Sequence, residues 1–309
     1  MFQFKSLSEV VLKFNDESTC VAYLEQLRWD GKPVCPHCGC GKVYKIASPK
    51  QPYKCGNKEC LKKFSVKIGL IFEASPIPLP KWFLAIYLNS AHRKGISSLQ
   101  LSRDLNITQK SAWHMLHRIR EMMRVKEAIP LKGEVQIDEA YIGGIEKNKH
   151  ANKRAKNLKD AGLRKTAVIG MYEKDGRIVT SVTPWVTKKV AAQCIKAHLD
   201  KDAVMVTDAS LLYSQIGKQY ANHHIVNHSH KIYKNDSGYH TNNVENFWSL
   251  LSRSIIGIYH FTSPQHLSRY CDEMAYRYNN RKMKDGERFV LALQNSKGRL
   301  KWSDLVMNN

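Results

Sequence analysis

The chain has 309 residues, with 49 Lys or Arg against 27 Asp or Glu, and the resulting +22 charge is spread along its length instead of sitting in one tail. That length accommodates two or three units, one of them a catalytic core with its own hydrophobic interior, and argues against a single small binding module. The charge favours a polyanionic partner without identifying an enzyme, and no secretory signal or apolar run of the ~20 residues needed for a membrane span is present, so a soluble cytoplasmic, nucleoid-associated protein without membrane contact is expected.

Residues 14–29, with Cys20, Leu24 and Leu27 among polar neighbours, predict a short amphipathic helix that ends at the turn Asp30-Gly31-Lys32-Pro33. Next come Cys35-Pro-His-Cys38 and Cys55-Gly-Asn-Lys-Glu-Cys60, paired thiolates at the spacing of a zinc ribbon. A fully sulfur-ligated ion leaves no open coordination position, so this Zn²⁺ is expected to be structural. The second spacing is the looser one, and His37 and Cys40 stand nearby as substitute ligands. The other cysteines, Cys20, Cys194 and Cys271, are scattered, which fits a reducing compartment better than a disulfide framework.

A Pro-punctuated connector, Pro76 to Pro80, separates the first domain, an N-terminal helix and zinc ribbon over residues 1–75, from a helical second domain over 76–130. Within the latter, residues 97–105, the turn Asn106-Ile107-Thr108 and the helix 109–122 predict a helix-turn-helix. Ala112, Leu116, Ile119 and Met123 recur at helical spacing and are expected inside. Lys110, Ser111, His114 and Arg118 would then face outward to read DNA in a major groove.

From residue 131 the pattern changes to strands at 134–141, 166–172, 178–182 and 204–207, with a crossover helix at 188–199 and a helical tail at 242–281. The expectation is a multi-domain α/β chain whose third domain, 131–309, holds a mixed sheet. An insertion at 147–165 carries eight basic residues against one acidic. Its Lys149, Lys153, Arg154 and Lys156 are expected to lie along DNA.

Asp138 and Asp208 each follow a β-rich run, and Glu245 lies near the start of a helix. Two strand-end aspartates and one helical glutamate can converge at one sheet edge and offer the hard oxygen ligands that two Mg²⁺ or Mn²⁺ ions require. Glu139 is expected on the opposite face by strand alternation, and Asp202 precedes its strand, so both are weaker candidates.

The run from Val135 to Gly144 containing Asp138, then Val206-Thr207-Asp208, Val226-Asn227-His228-Ser229 and His240-Thr241-Asn242-Asn243-Val244-Glu245-Asn246-Phe247-Trp248 resemble the IS1595-type (ISXO2-like) insertion-sequence transposases, related to Merlin elements. Gly257-Ile258-Tyr259-His260, Arg277-Tyr278-Asn279-Asn280-Arg281, the ribbon and the helix-turn-helix extend the resemblance over nearly the whole chain. It implies an RNase H-like catalytic domain with the acidic triad Asp138, Asp208 and Glu245. It also implies binding of terminal inverted repeats, cleavage at element ends, joining of the freed 3′-OH to target DNA, and a homodimer or larger assembly on DNA.

The family's lysine two helical turns after the glutamate is replaced here by Ser252, with Arg253 beside it as the candidate DNA contact. His228, His240 and His260 match family positions and are read first as structural or DNA-contacting. A domesticated DNA-binding regulator and an RNase H-like nuclease are the alternative readings.

Overall fold

The computed structural model describes residues 4–125, 129–144, 150, 165–220, 222–227 and 238–306. They divide into two compact units, Met1–Met123 with Lys282–Asn309, and Arg124–Arg281. The ribbon segment and the segment expected to form a helix-turn-helix therefore share one unit. The last residues, expected within the 131–309 domain, fold with the first unit instead.

The first unit opens with two helices, where the sequence predicted one: α1, Leu7–Lys13, and α2, Glu17–Trp29. Asp16 breaks the pattern because its carboxylate caps α2 by accepting from the Thr19 N–H at 2.9 Å. Asp30, in the left-handed region at φ 47°, ends that helix. Three short antiparallel strands follow, β1 Val43–Lys45, β2 Tyr53–Cys55 and β3 Lys63–Phe64. Trp29, Tyr53 and Phe64 supply most of their small aromatic core.

Three further helices are α3, Leu79–Ala91, α4, Ser98–Leu105, and α5, Gln109–Met123. Ser97 caps α4, Asn106 at φ 47° makes the turn, and Thr108 accepts from the Ser111 N–H at the start of α5. The expected helix, turn and N-cap are thus observed in that order. Phe14, Phe83 and Phe289 are buried in a cluster of mostly edge-on rings, with the half-buried Tyr23 against Phe14 and Phe83.

Phe289 belongs to the helix Asp285–Gln294, which explains why the C-terminal segment joins this unit. Gly286 permits the close approach, since a Cβ there would fall 1.9 Å from the Phe4 carbonyl oxygen.

The second unit is built on a mixed five-stranded sheet comprising β4 Glu134–Ile142, β5 Thr166–Glu173, β6 Ile178–Thr183, β7 Val204–Asp208 and β8 His223–Val226. Its strand order is β6-β5-β4-β7-β8. The first three strands are antiparallel neighbours, whereas β7 and β8 run parallel to β4. Helix α6, Lys188–His198, makes the crossover, and α7, Leu211–Gly217, joins β7 to β8. Helix α8, Asn242–Ser254, passes through a π-helical turn, Ile255–Tyr259, and α9, Pro264–Asn279, follows.

Strand alternation sorts this core into two layers. Val135 and Ile137 of β4 join Ile169, Met171, Ala191 and Tyr213 on one face. Ala140 and Ile142 join Val168, Tyr172, Val244, Phe247 and Trp248 on the other. By the same alternation Gln136 and Asp138 face α8, and Glu139 faces α7. No helix among the described residues is long and apolar enough to cross a membrane.

Candidate active site and metal centres

Asp138 and Asp208 come together through sheet register. The last paired rung between parallel β4 and β7 is Ile137 with Thr207, so the two aspartates occupy the next rung and share a face. The Asp208 carboxylate accepts from the Ser210 N–H at 3.1 Å, at the entrance to α7. Burial pushes the Asp138 carboxyl up to about 7, reinforced by the neighbouring charges of Glu139 and Asp208 and opposed by donors from the Glu139 backbone and Trp248.

Glu245 occupies the first turn of α8 and is exposed, and its Oε1 accepts from Thr241 Oγ1 at 2.8 Å. Three residues farther on, Trp248 donates its indole N–H to Asp138 Oδ2 at 3.0 Å. Residues three apart lie on one helix face, so α8 presents Glu245 on the stripe that reaches Asp138. Gln136, two residues before Asp138, holds the start of this helix. Its Oε1 accepts from the Asn243 N–H at 3.1 Å, and its Nε2 lies 3.3 Å from His240 Nδ1. His240 therefore has a structural partner.

Glu139 does face the other way, as expected. Its carboxylate accepts from Tyr213 Oη at 2.5 Å, and burial raises its pKa.

The four cysteine sulfurs of Cys35, Cys38, Cys55 and Cys60 lie within 4.8 Å of one another, the only such set of His, Cys, Asp or Glu ligand atoms among the described residues. Cys35 and Cys60 sulfurs are 3.9 Å apart, and those of Cys38 and Cys55 are 3.5 Å apart. A tetrahedron with Zn–S bonds of about 2.3 Å has edges of about 3.8 Å, so the donor set fits structural Zn²⁺. The Asn57 N–H donates to Cys55 Sγ at 3.4 Å, and the backbone N–H of Cys40 holds the Cys38 thiol down at about 7. Cys40 and His37 are not in the set. The three carboxylates, by contrast, are not drawn into a cluster of that tightness.

Two family comparisons agree on what these parts are. The ISXO2-like transposase domain matches residues 130–279, and the transposase zinc-ribbon domain of the same family matches residues 15–63, together well over half of the chain. The chain belongs to the IS1595-type transposase family. It is also 32% identical over 133 residues to an uncharacterized protein in transposable element ISH50 of Halobacterium salinarum, a match covering 42% of this chain and 43% of that protein.

For a member of this transposase family, the face of α5 expected to meet DNA is only partly open. Lys110 is exposed, and its Nζ lies 4.7 Å from the centre of the Trp302 ring. Ser111 is half-buried beside Thr108. His114 is half-buried against Trp302, and burial lowers its pKa.

Arg118 corrects the sequence reading. It is 5% exposed, lies over the Trp82 ring at 5.4 Å and donates from Nη2 to the Glu73 carbonyl at 2.6 Å. The guanidinium satisfies an interior acceptor instead of facing outward, a role that helical periodicity alone could not reveal.

Arg253 is exposed at the last turn of α8, folded back so that Nε and Nη2 donate to the Ser249 carbonyl and hydroxyl. Seven residues return a helix nearly to its starting face, so Ser252 shares the Glu245 stripe and Arg253 lies about 80° around it. His260 Nδ1 lies 3.1 Å from the Ile256 carbonyl oxygen. Lys149, Lys153, Arg154, Lys156 and His228 lie outside the described residues.

Sequence reasoning passed over Gln136, Gly170 and Trp248. Gly170 carried a signal, a lone glycine inside an otherwise side-chain-rich strand, which marks a close approach of another element.

Proposed function

We propose that this chain is a DDE transposase that binds the terminal inverted repeats of an insertion sequence, cleaves DNA at the element ends and joins the 3′-OH ends to target DNA. The shared rung of Asp138 and Asp208, with Glu245 on the helix stripe that touches Asp138, carries this reading. The domain would be RNase H-like, with the two aspartates where the parallel pairing of β4 and β7 ends.

The donor chemistry fits a divalent cation. A carboxyl held near neutrality by burial and neighbouring acids gains most from a bound positive charge, and all three groups offer oxygen. Asp138 and Asp208 would hold Mg²⁺ or Mn²⁺, two ions in the full site, and Glu245 would complete one coordination sphere. Such ions supply activation of a water and stabilisation of the leaving 3′ oxygen. The protein's own contribution is placement. Parallel register sets Asp138 against Asp208, Gln136 and Trp248 anchor α8 to β4, and the exposed Glu245 is left toward the DNA side.

Helix α4, its turn and α5 act as a DNA-binding helix-turn-helix. Lys110 and Ser111 remain as DNA contacts, and Arg253 takes a backbone phosphate beside the scissile one. Lys149, Lys153, Arg154 and Lys156 add a basic track, supported by their sequence density alone. Joining two ends to one target requires at least a dimer on DNA, acting at the bacterial nucleoid in the cytoplasm.

The test uses labelled element-end DNA with Mg²⁺ or Mn²⁺. Wild type is expected to cleave and join, and Asp208→Ala to do neither. Cleavage without joining would favour a nuclease, and activity surviving in Asp208→Ala would end the triad assignment.

A further inference from the structure

We infer that Trp248 is a positioning residue for Asp138, fixing one carboxylate oxygen so that the other is presented to a divalent cation in a set orientation, and that Gly170 is the clearance that allows it. The inference rests on the reading of Asp138 as a metal ligand.

Three observations on the same sheet face carry it. The Trp248 indole N–H reaches Asp138 Oδ2 at 3.0 Å. Asp138 pairs across the antiparallel ladder with Gly170, so any side chain at 170 would rise beside Asp138 under the indole. A Cβ on Gly170 would stand 2.6 Å from Trp248 Cζ2 and 2.7 Å from Cη2, well inside contact distance. The glycine therefore lets the six-membered ring settle onto the sheet, which sets the reach of the N–H.

Gln136 supplies the other end of the arrangement by pinning the Asn243 N–H. Two strand residues advance about 6.8 Å and five helical residues about 7.5 Å, so one alignment of α8 along β4 satisfies both contacts.

A carboxylate with one oxygen held by a fixed donor loses rotational freedom before the cation arrives. Such outer partners of metal ligands commonly change affinity 10- to 100-fold when removed. A purely structural Trp248, buried with Phe247, Val244 and Tyr278, would affect stability and leave metal affinity alone.

The experiment titrates the zinc-loaded full-length chain with Mn²⁺ and follows free Mn²⁺ by electron paramagnetic resonance. Trp248→Phe keeps most of the ring but removes the donor, and is expected to weaken Mn²⁺ binding by about tenfold, with cleavage recovering when Mn²⁺ is raised to match. Gly170→Ala keeps the donor but lifts it, and is expected to weaken binding similarly. It carries the test by itself if Trp248→Phe does not fold.

Wild-type Mn²⁺ affinity in the folded variants, alongside a loss in Asp138→Asn, would overturn the positioning role and leave the metal site standing. Undiminished Mn²⁺ binding in Asp138→Asn would remove the ligand reading itself, and the inference with it.

Discussion

Phe289, near the end of the chain, packs edge-on against Phe83 of α3 with ring centres 5.9 Å apart. Both rings are fully buried, and Phe14 touches each of them. The C-terminal segment is thus part of the core of the unit that carries the zinc ribbon and α5. Phe289→Ala should cost about 3–5 kcal/mol in that unit, the usual penalty for emptying a buried aromatic position. Hydrogen exchange would locate the loss, with protection falling in α1 to α3 and remaining in β4 and β5. Equal loss in both units would contradict the division.

Zinc removal should act on the same unit. The ribbon strands are two or three residues long and bury few side chains, so metal coordination supplies much of their stability. Chelation, or Cys60→Ser, is expected to abolish protection of the Tyr53 and Cys55 amides, with zinc content followed by atomic absorption. A ribbon that stays protected without metal would show that its aromatic cluster suffices.

Lys110 and Arg118 should separate by assay, although both are cations on α5. Lys110→Ala is expected to weaken DNA binding and lower the slope of log affinity against log salt by about 1, as loss of one phosphate contact does. Arg118→Ala is expected to leave that slope unchanged while costing about 1–3 kcal/mol of stability, through the lost contacts to Trp82 and the Glu73 carbonyl. A changed salt slope in Arg118→Ala would restore it as a DNA contact.

The raised pKa of Asp138 gives a pH signature in metal-free protein. Between about 4 and 7 the unfolded chain releases a proton that the folded chain still binds, so this group's contribution makes stability fall as pH rises through that window. Asp138→Asn removes that slope. Urea unfolding of both proteins should give a gap that widens in favour of the variant from pH 4 to 7, reaching on the order of a few kcal/mol, and then levels off. A gap independent of pH would mean that the carboxyl ionises normally in the fold.

Much of this was legible in the sequence because local signals carry it. β-rich runs marked β4 to β7, but the strand end expected for Asp138 is not observed: β4 continues to Ile142, because it stays paired with β5, and it is the parallel register with β7 that brings Asp138 beside Asp208. Paired cysteines marked the zinc set, and Ser97, Asn106 and Thr108 marked the boundaries of α4 and α5. What escaped depends on partners distant in the chain. Arg118 looks like a solvated cation until the Glu73 carbonyl is placed beside it, and Gly170 gains meaning only when Trp248 lies above. The short β8, with His223 and His224 in place of an apolar alternation, offered no pattern to read.

In the proposed mechanism Asp138, Asp208 and Glu245 act as one catalytic set, and Glu139, turned to the other face of the sheet toward Tyr213, has no part in it. The decisive measurement is strand transfer of a labelled element end at saturating Mn²⁺ for Asp138→Asn, Asp208→Asn, Glu245→Gln and Glu139→Gln. The first three should each fall by about a thousandfold or more, as loss of an essential group in a charge-stabilising site does, while Glu139→Gln stays within about tenfold of wild type. Robust joining by any of the first three, or a Glu139→Gln defect as deep as theirs, would contradict that mechanism.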